Sequence, residues 1–471
     1  MNATATRRLL ALQQTLVSGV NAGQTQASGK NRLSPSISQA SEAQSCVLFL
    51  PNGGALKMAG FNGDLCGIAG EKEDEQHLIT LDDIPLGVYK ARSDMPPVAL
   101  VLSSIGTPFQ DKSCHVPTYP ILEIGPPRQG SGISTIDLWN IIYFLFTLHH
   151  SQEQLPIVFS DNLINRSELI EYALSSGLGR PQPQPAVHSA ASSLANPDVI
   201  FLTRMAFWQG AGMIGFHGHG WLSPIFDPSS ASTPCSLPRS HYAFPYTPAF
   251  TRNDLVIAAH PLRPPKPQPG ELLYKRYCPS IGKTLAFRYL CLDDTAERSF
   301  GHVEAFHRWH NSPRVNSGWG ERGSLEQHRV YLAKVLADPA VLPVMMSWDG
   351  ELMGYAEFVW VKENHMATYL GGGEGGTQAR DWDRGIHVLA GEDKFKGRTF
   401  SAAWLRSAIH FAFLADPRTE RVMGEPKIDN GAILDTCMNA GSHVQTVFDF
   451  PYKRSALVLT SRERFFKLDL L

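Results

Sequence analysis

Residues 384–413 read RGIHVLAGEDKFKGRTFSAAWLRSAIHFAF, a succession of strand, loop and helix patterns. Ile386, Val388 and Ala390 alternate with Gly385, His387 and Leu389, so a strand here lays an apolar row on one face and turns His387 to the other. The loop at 392–398 gathers Lys394, Lys396 and Arg398 around Gly397. Thr399 opens a run in which Trp404, Leu405, Ala408, Ile409 and Ala412 recur at helical spacing. A helix N-terminus facing a basic, glycine-bearing loop suits a phosphate or pyrophosphate, because first-turn N–H groups are free and the positive end of the helix dipole points outward. The stretch contains neither GxGxxG nor the G-K-[ST] ending of a nucleotide P-loop, so the pattern alone does not choose the ligand.

The same order occurs earlier, in YPILEIGPPRQGSGISTIDLWNIIYFLF at 119–146. Placing Gly132 on Gly397 puts Trp139 on Trp404 and Ile121 on Ile386. A strand at 155–162 and a helical run at 165–177, matching 429–441 in length and spacing, extend the correspondence. Such repetition predicts two related domains. In the first, Leu122 stands where the second has His387, and the loop GPPRQGSG has one Arg and a Pro pair that removes backbone donors. The first domain therefore reads as a degenerate copy, one that walls a substrate cleft or helps the chain form a homodimer.

The boundaries follow from composition. Residues 1–41 hold no Asp or Glu and read as a disordered tail or an organellar transit peptide. Residues 42–222 form the degenerate domain, 223–272 a Pro-rich extended spacer, and 273–471 the second domain, a mixed α/β sheet flanked by helices. With 42 basic and 44 acidic residues, no strong field argues for nucleic acid or an anionic membrane. The most apolar stretch, 138–148, is too short to span a bilayer, so no membrane partner is expected. Seven scattered cysteines without CxxC favour a reducing compartment. A cytoplasmic protein is expected, with mitochondrion and peroxisome as alternatives, although the C-terminal KLDLL is not of the S-K-L type.

The strand with its His, the loop FKGRT (395–399) and the helix resemble the acyl-CoA-binding motif of the GNAT superfamily of N-acetyltransferases. The stretch 302–466 resembles more closely the hydroxylysine and hydroxyornithine acyltransferases of siderophore biosynthesis. The likeness rests on FHRWHNSPRV (306–315), HRVYLAKVLADP (328–339), GYAEFVWVKE (354–363), DWDRGIHVLAGEDKFKG (381–397), DPRTERVMGEPKIDN (416–430) and FDFPYKRSAL (448–457). It implies acyl-CoA as co-substrate, bound at Leu389, Phe395, Lys396, Gly397, Arg398 and Thr399, and a hydroxylated amino acid as acceptor. It also implies His387 as general base, with Asp429 assisting it and Glu357, Trp360, Asp383 and Lys453 on the acceptor side. Backbone N–H groups near Leu389 would serve the oxyanion.

Each residue has a plainer reading. His387 also fits a core histidine, Asp429 a helix N-cap, Glu357 a lysine partner, Asp383 with Arg384 a salt-bridged turn, and Lys453 with Arg454 a solvated turn. GGGEGG (371–376) precedes no helix and reads as a flap, and HGHG (217–220) lacks a third ligand, so no metal is expected. A base must be neutral to act, which places its titration around pH 6–7. The resulting expectation is acylation of Nδ-hydroxyornithine to a hydroxamate, with acetyl ahead of anhydromevalonyl. A hydroxylysine acceptor, another small amine and a non-catalytic CoA-binding scaffold are the alternatives.

Overall fold

The short strand signals at the start of the chain become the edge of an eight-stranded sheet. The computed structural model describes residues 46–58, 76–99, 118–149, 152–182, 198–213, 217–222, 248–253, 255–264, 266–278, 280–292, 300–371, 378–468 and 471. The expected tail at 1–41, most of a strand expected at 98–104 and the GGGEGG flap beyond Gly371 lie outside them. The chain divides into two units, Met1–Ile214 and Gly215–Leu471.

In the first unit, β1 (Cys46–Phe49), β2 (Ala55–Met58), β3 (His77–Leu81) and β4 (Ile84–Ala91) form an antiparallel meander. β5 (Leu122–Gly125) joins it, α1 (Thr135–Leu148) crosses over, and β6 (Gln154–Phe159) pairs parallel to β5. After α2 (Arg166–Ser175), β7 (Gly179–Pro181) and β8 (Ile200–Thr203) complete the order β1-β2-β3-β4-β5-β6-β8-β7. Ser134 caps α1 by accepting from the Asp137 N–H, and the helix buries Trp139, Ile142 and Phe146.

The second unit opens with a two-stranded hairpin, β9 (Pro248–Arg252) and β10 (Ile257–Pro261), within the stretch expected as spacer. Trp221, counted with the first domain from sequence, packs on His410 of the second unit at 5.3 Å between ring centroids. The main sheet runs β11 (Leu272–Cys278), β12 (Lys283–Tyr289), β13 (Val341–Trp348), β14 (Glu351–Trp360), β15 (Arg384–Ala390) and β16 (Arg421–Gly424). It ends with β18 (Lys453–Ser461) inside β17 (His443–Phe450), the same order as in the first unit. The two-residue turn of the β13–β14 hairpin has Asp349 at φ 49° and Gly350 at φ 83°, the left-handed pair that such a turn requires.

Helices α3 (His302–His310), α4 (Pro313–Trp319) and α5 (Leu325–Ala337) lie between β12 and β13. Phe306, Trp309 and Leu332 from them pack with Tyr355 and Leu389 of the sheet. On the other face α6 (Arg398–Ala415) sets Phe411 against Phe358, 4.9 Å between centroids. Because strand side chains alternate, Glu357 and His387 share the α3–α5 face with Tyr355 and Leu389. Gly391, just past β15, underlies Trp309 so closely that a Cβ there would stand 2.1 Å from its ring. Gly391→Ala is expected to cost about 1–3 kcal/mol by overpacking, read as a lower midpoint in denaturant unfolding.

One difference between the units positions a site. In the first unit the parallel ladder runs along β5 from Leu122↔Ile157 to Ile124↔Phe159, and the Ser160 N–H continues it to the Ile124 carbonyl. In the second, pairing of β15 with β16 stops after Arg384↔Val422 and Gly385↔Met423, although β15 continues to Ala390. The local cause is Glu425-Pro426: Pro426 has no N–H to give, and its carbonyl accepts from Ala456 of β18. Ile428 then donates to Arg454, so the chain after β16 follows β18 and parts from β15.

Candidate active site

The cross-strand pair Glu357↔His387 sits on β14 and β15 where β15 leaves β16. His387 Nδ1 donates to Glu357 Oε2 at 3.2 Å, and Nε2 lies 3.4 Å from Glu425 Oε1, just beyond the end of β16. Tyr331 of α5 and Tyr355 of β14 each donate to Glu357 Oε1 at 2.9 Å. Lys453 Nζ donates to the Glu425 carbonyl at 2.9 Å and stands 3.4 Å from Oε1. The His387 side chain is 22% exposed, so this centre is reachable from solvent.

The electrostatics correct the expected titration of His387. Burial opposes the imidazolium, but the Glu425 charge and hydrogen bonding to both carboxylates override it and push His387 up to about 10. Burial would raise Glu425 as well, yet the charges of His387 and Lys453 hold it well below the usual carboxylate range. Glu357 is also lowered, burial being outweighed by His387 and the tyrosine hydroxyls. At neutral pH the imidazolium is therefore clamped between two carboxylates, and the three groups exchange protons as one unit.

The other sequence-derived residues divide. Lys453 joins the centre through Glu425. Asp429 is exposed, and the cap of α7 (Gly431–Asn439) is its neighbour Asn430, which accepts from the Ile433 N–H. The second carboxylate on His387, beside Glu357, is Glu425, four residues before Asp429. Asp383 is buried and holds Arg421 through both oxygens, which ties the start of β15 to the start of β16. Trp360 is buried on the face opposite His387, with the Arg263 and Arg384 guanidiniums packed on its ring.

In the expected CoA loop, Gly397 is the N-cap of α6 at φ 109°, a conformation that favours glycine, and no side chain caps the helix. Its first-turn N–H groups therefore remain available to an anion. Phe395 is buried and anchors the loop, and the Leu389 side chain is committed to the core, so Leu389 offers a ligand only its backbone. Lys396 rests on Asp393 at 3.0 Å and Arg398 on Asp435 at 3.2 Å, both largely exposed, and Thr399 is exposed beside them.

The sequence profile of the acetyltransferase (GNAT) domain matches residues 300–450. Acyltransferase ato1 of Omphalotus olearius is 37% identical over 72% of this chain and 78% of its own length. The chain belongs to the GNAT acyltransferases. Hydroxyornithine transacylase SID3 of Ajellomyces capsulatus is 37% identical over 70% of this chain and 72% of its own length. N(6)-hydroxylysine O-acetyltransferase of Escherichia coli is 35% identical over 44% of this chain and 60% of its own length.

Acyl-CoA is the co-substrate of this GNAT acyltransferase, and the parted strands with the uncapped α6 terminus are the features of the second unit that suit it. Lys396→Ala with Arg398→Ala is expected to raise the Kd for CoA about 10-fold or more in calorimetric titration, and kcat at saturation should change little. The loss of two exposed charged contacts sets that scale. Among the described residues no group of three or more His, Cys, Asp or Glu could hold a metal ion, and no helix is long and apolar enough to cross a membrane.

Sequence reasoning missed Glu425, Tyr331 and Tyr355 as members of the centre. The tyrosines had a usable signal. Tyr355 lies two residues from Glu357 on one strand and so shares its face, and Tyr331 interrupts an otherwise aliphatic and basic helix stripe.

Proposed function

We propose that this acyltransferase moves an acyl group from CoA to the side-chain hydroxylamine nitrogen of Nδ-hydroxyornithine, giving a hydroxamate for siderophore biosynthesis. The observation that carries the reading is the charged Glu357–His387–Glu425 unit set where β15 and β16 part. Similarity to a hydroxyornithine transacylase over 70% of the chain supports the acceptor.

A hydroxylamine is less basic than an alkylamine, so it meets the thioester already neutral and needs no strong base before attack. Once the C–N bond forms, the nitrogen is acidic, and a nearby carboxylate can take its proton although that carboxylate is a weak base. In this reading Glu425 takes that proton, with His387 balancing the charge and Glu357 and the tyrosines fixing the imidazole. Backbone groups of β15 beyond Gly385, unpaired to β16, are candidates for the oxyanion, and CoA leaves as the thiol. Similarity to a hydroxylysine acetyltransferase favours Nε-hydroxylysine as the second reading.

The test is a mass-spectrometric screen of acetyl-CoA and longer acyl-CoAs against hydroxyornithine, hydroxylysine, ornithine and lysine. A hydroxamate from hydroxyornithine in preference to ornithine is expected. Equal acylation of ornithine, or no product from either hydroxylated acid, would overturn the reading.

A further inference from the structure

Arg384 is 6% exposed, and its guanidinium makes no hydrogen bond or ion pair with the described residues. It begins β15 opposite Trp360, three residues from His387 and hence on the other face of the sheet. Its guanidinium carbon lies 4.0 Å from the centroid of the Trp360 ring. The Nε is fully enclosed without a partner.

Neighbouring charges do not fill this gap, because each is already engaged. Glu363 takes Arg263 and accepts from Thr251, Asp416 holds Arg418 through both oxygens, Asp381 takes Lys362, and Asp383 takes Arg421. Trp382 closes the wall, stacked under Arg418 at 3.5 Å and edge-on to Trp360 at 5.7 Å. Four carboxylates thus face four other cations, and Arg384 is the fifth cation. An unpaired buried guanidinium is costly, and its planar fork matches a carboxylate in two parallel hydrogen bonds.

We propose that Arg384, on the wall made by Trp360 and Trp382, is a binding site for a carboxylate monoanion, separate from the acyl-transfer centre. The charge count selects a monoanion: one negative charge balances the cluster, and a phosphate dianion would leave an excess beside Asp416 and Glu363. Burial, the largest influence, lowers Arg384 to about 9, with Asp416 opposing it, as expected where negative charge is short.

The test is thermal unfolding of the full chain in sodium acetate, with sodium phosphate and potassium chloride at matched ionic strength. The expected acetate response is a saturable rise in Tm of about 2–4 °C, whereas phosphate should give only the linear, unsaturating rise of an excluded anion. Arg384→Met should abolish the acetate response while unfolding in chloride at or above the wild-type Tm, since it removes a desolvated charge and strands no partner. Arg384→Lys, which keeps the charge and loses the fork, should show a weaker response. An acetate response that is absent, equal in Arg384→Met or matched by phosphate overturns the proposal. So does a large loss of Tm for Arg384→Met in chloride, or its failure to fold, because the guanidinium is then a structural cation on Trp360.

Discussion

Replacing His387 with alanine is expected to lower kcat for hydroxamate formation by ~10²–10⁴, with the Kd for CoA changed less than about twofold. The first figure is the scale of losing general-base catalysis, because Glu425 would lose the imidazolium that positions it and balances its charge, and the second follows because the α6 terminus and its loop do not touch the imidazole. The same change should destabilise the fold at neutral pH. Glu357 and Glu425 would lose the cation between them, a loss of about 3 kcal/mol, toward the lower end for a buried pair because Lys453 and two tyrosines keep part of the compensation. The pH dependence has a definite sign. His387 is raised to about 10 in the folded chain against about 6.5 unfolded, so its contribution is complete below about 6.5 and lost as pH rises through 10. Glu425 and Glu357 are lowered, so theirs is present above about 4.3 and lost as pH falls. The stability gap between wild type and His387→Ala should thus be widest near pH 5–6.5 and narrow on both sides, as denaturant unfolding across pH would record. Near-wild-type kcat in the variant would reduce the histidine to core filling.

Local pattern was enough for the elements and for the repeat. Period-two alternation around His387 and helical spacing from Thr399 are short-range properties, and duplication of the same order around Trp139 marks a second sheet. The face of His387 was legible too, because register on a half-buried strand admits no single-residue slip. Its partners were not. Glu425 reaches His387 because Pro426 turns the chain onto β18 and away from β15, a consequence of strand pairing that no periodicity encodes. Asp429 is the carboxylate of a recognisable motif, yet it is exposed. The titration expected around pH 6–7 failed for the same reason, since a histidine beside one unknown carboxylate and one known one cannot be assigned a charge from sequence. Trp360 illustrates the limit from the other side: its position on the strand was clear, but the two arginines on its ring come from 263 and 384, one of them in a stretch expected as spacer.

Glu425→Gln is expected to lower kcat by ~10²–10³ and, more tellingly, to change the shape of the pH–rate profile. In the wild type His387 stays protonated from pH 6 to 8, so any titration of kcat/KM in that window belongs to the acceptor or to CoA. Glutamine removes the charge that most strongly raises the imidazole and leaves burial, which lowers it, opposed by Glu357 alone. The folded-state pKa of His387 should then fall from about 10 toward its ordinary value of about 6.5, and a new titration should enter the window. Asp429→Asn is the matched control: an exposed carboxylate four residues on, its removal should leave the His387 titration in place. Measuring kcat/KM from pH 5.5 to 9 for all three proteins separates the contributions, because the acceptor titrates identically in each. Superimposable profiles for wild type and Glu425→Gln would mean that Glu425 does not govern the charge on His387. A new limb in Asp429→Asn alone would return the assisting role to Asp429.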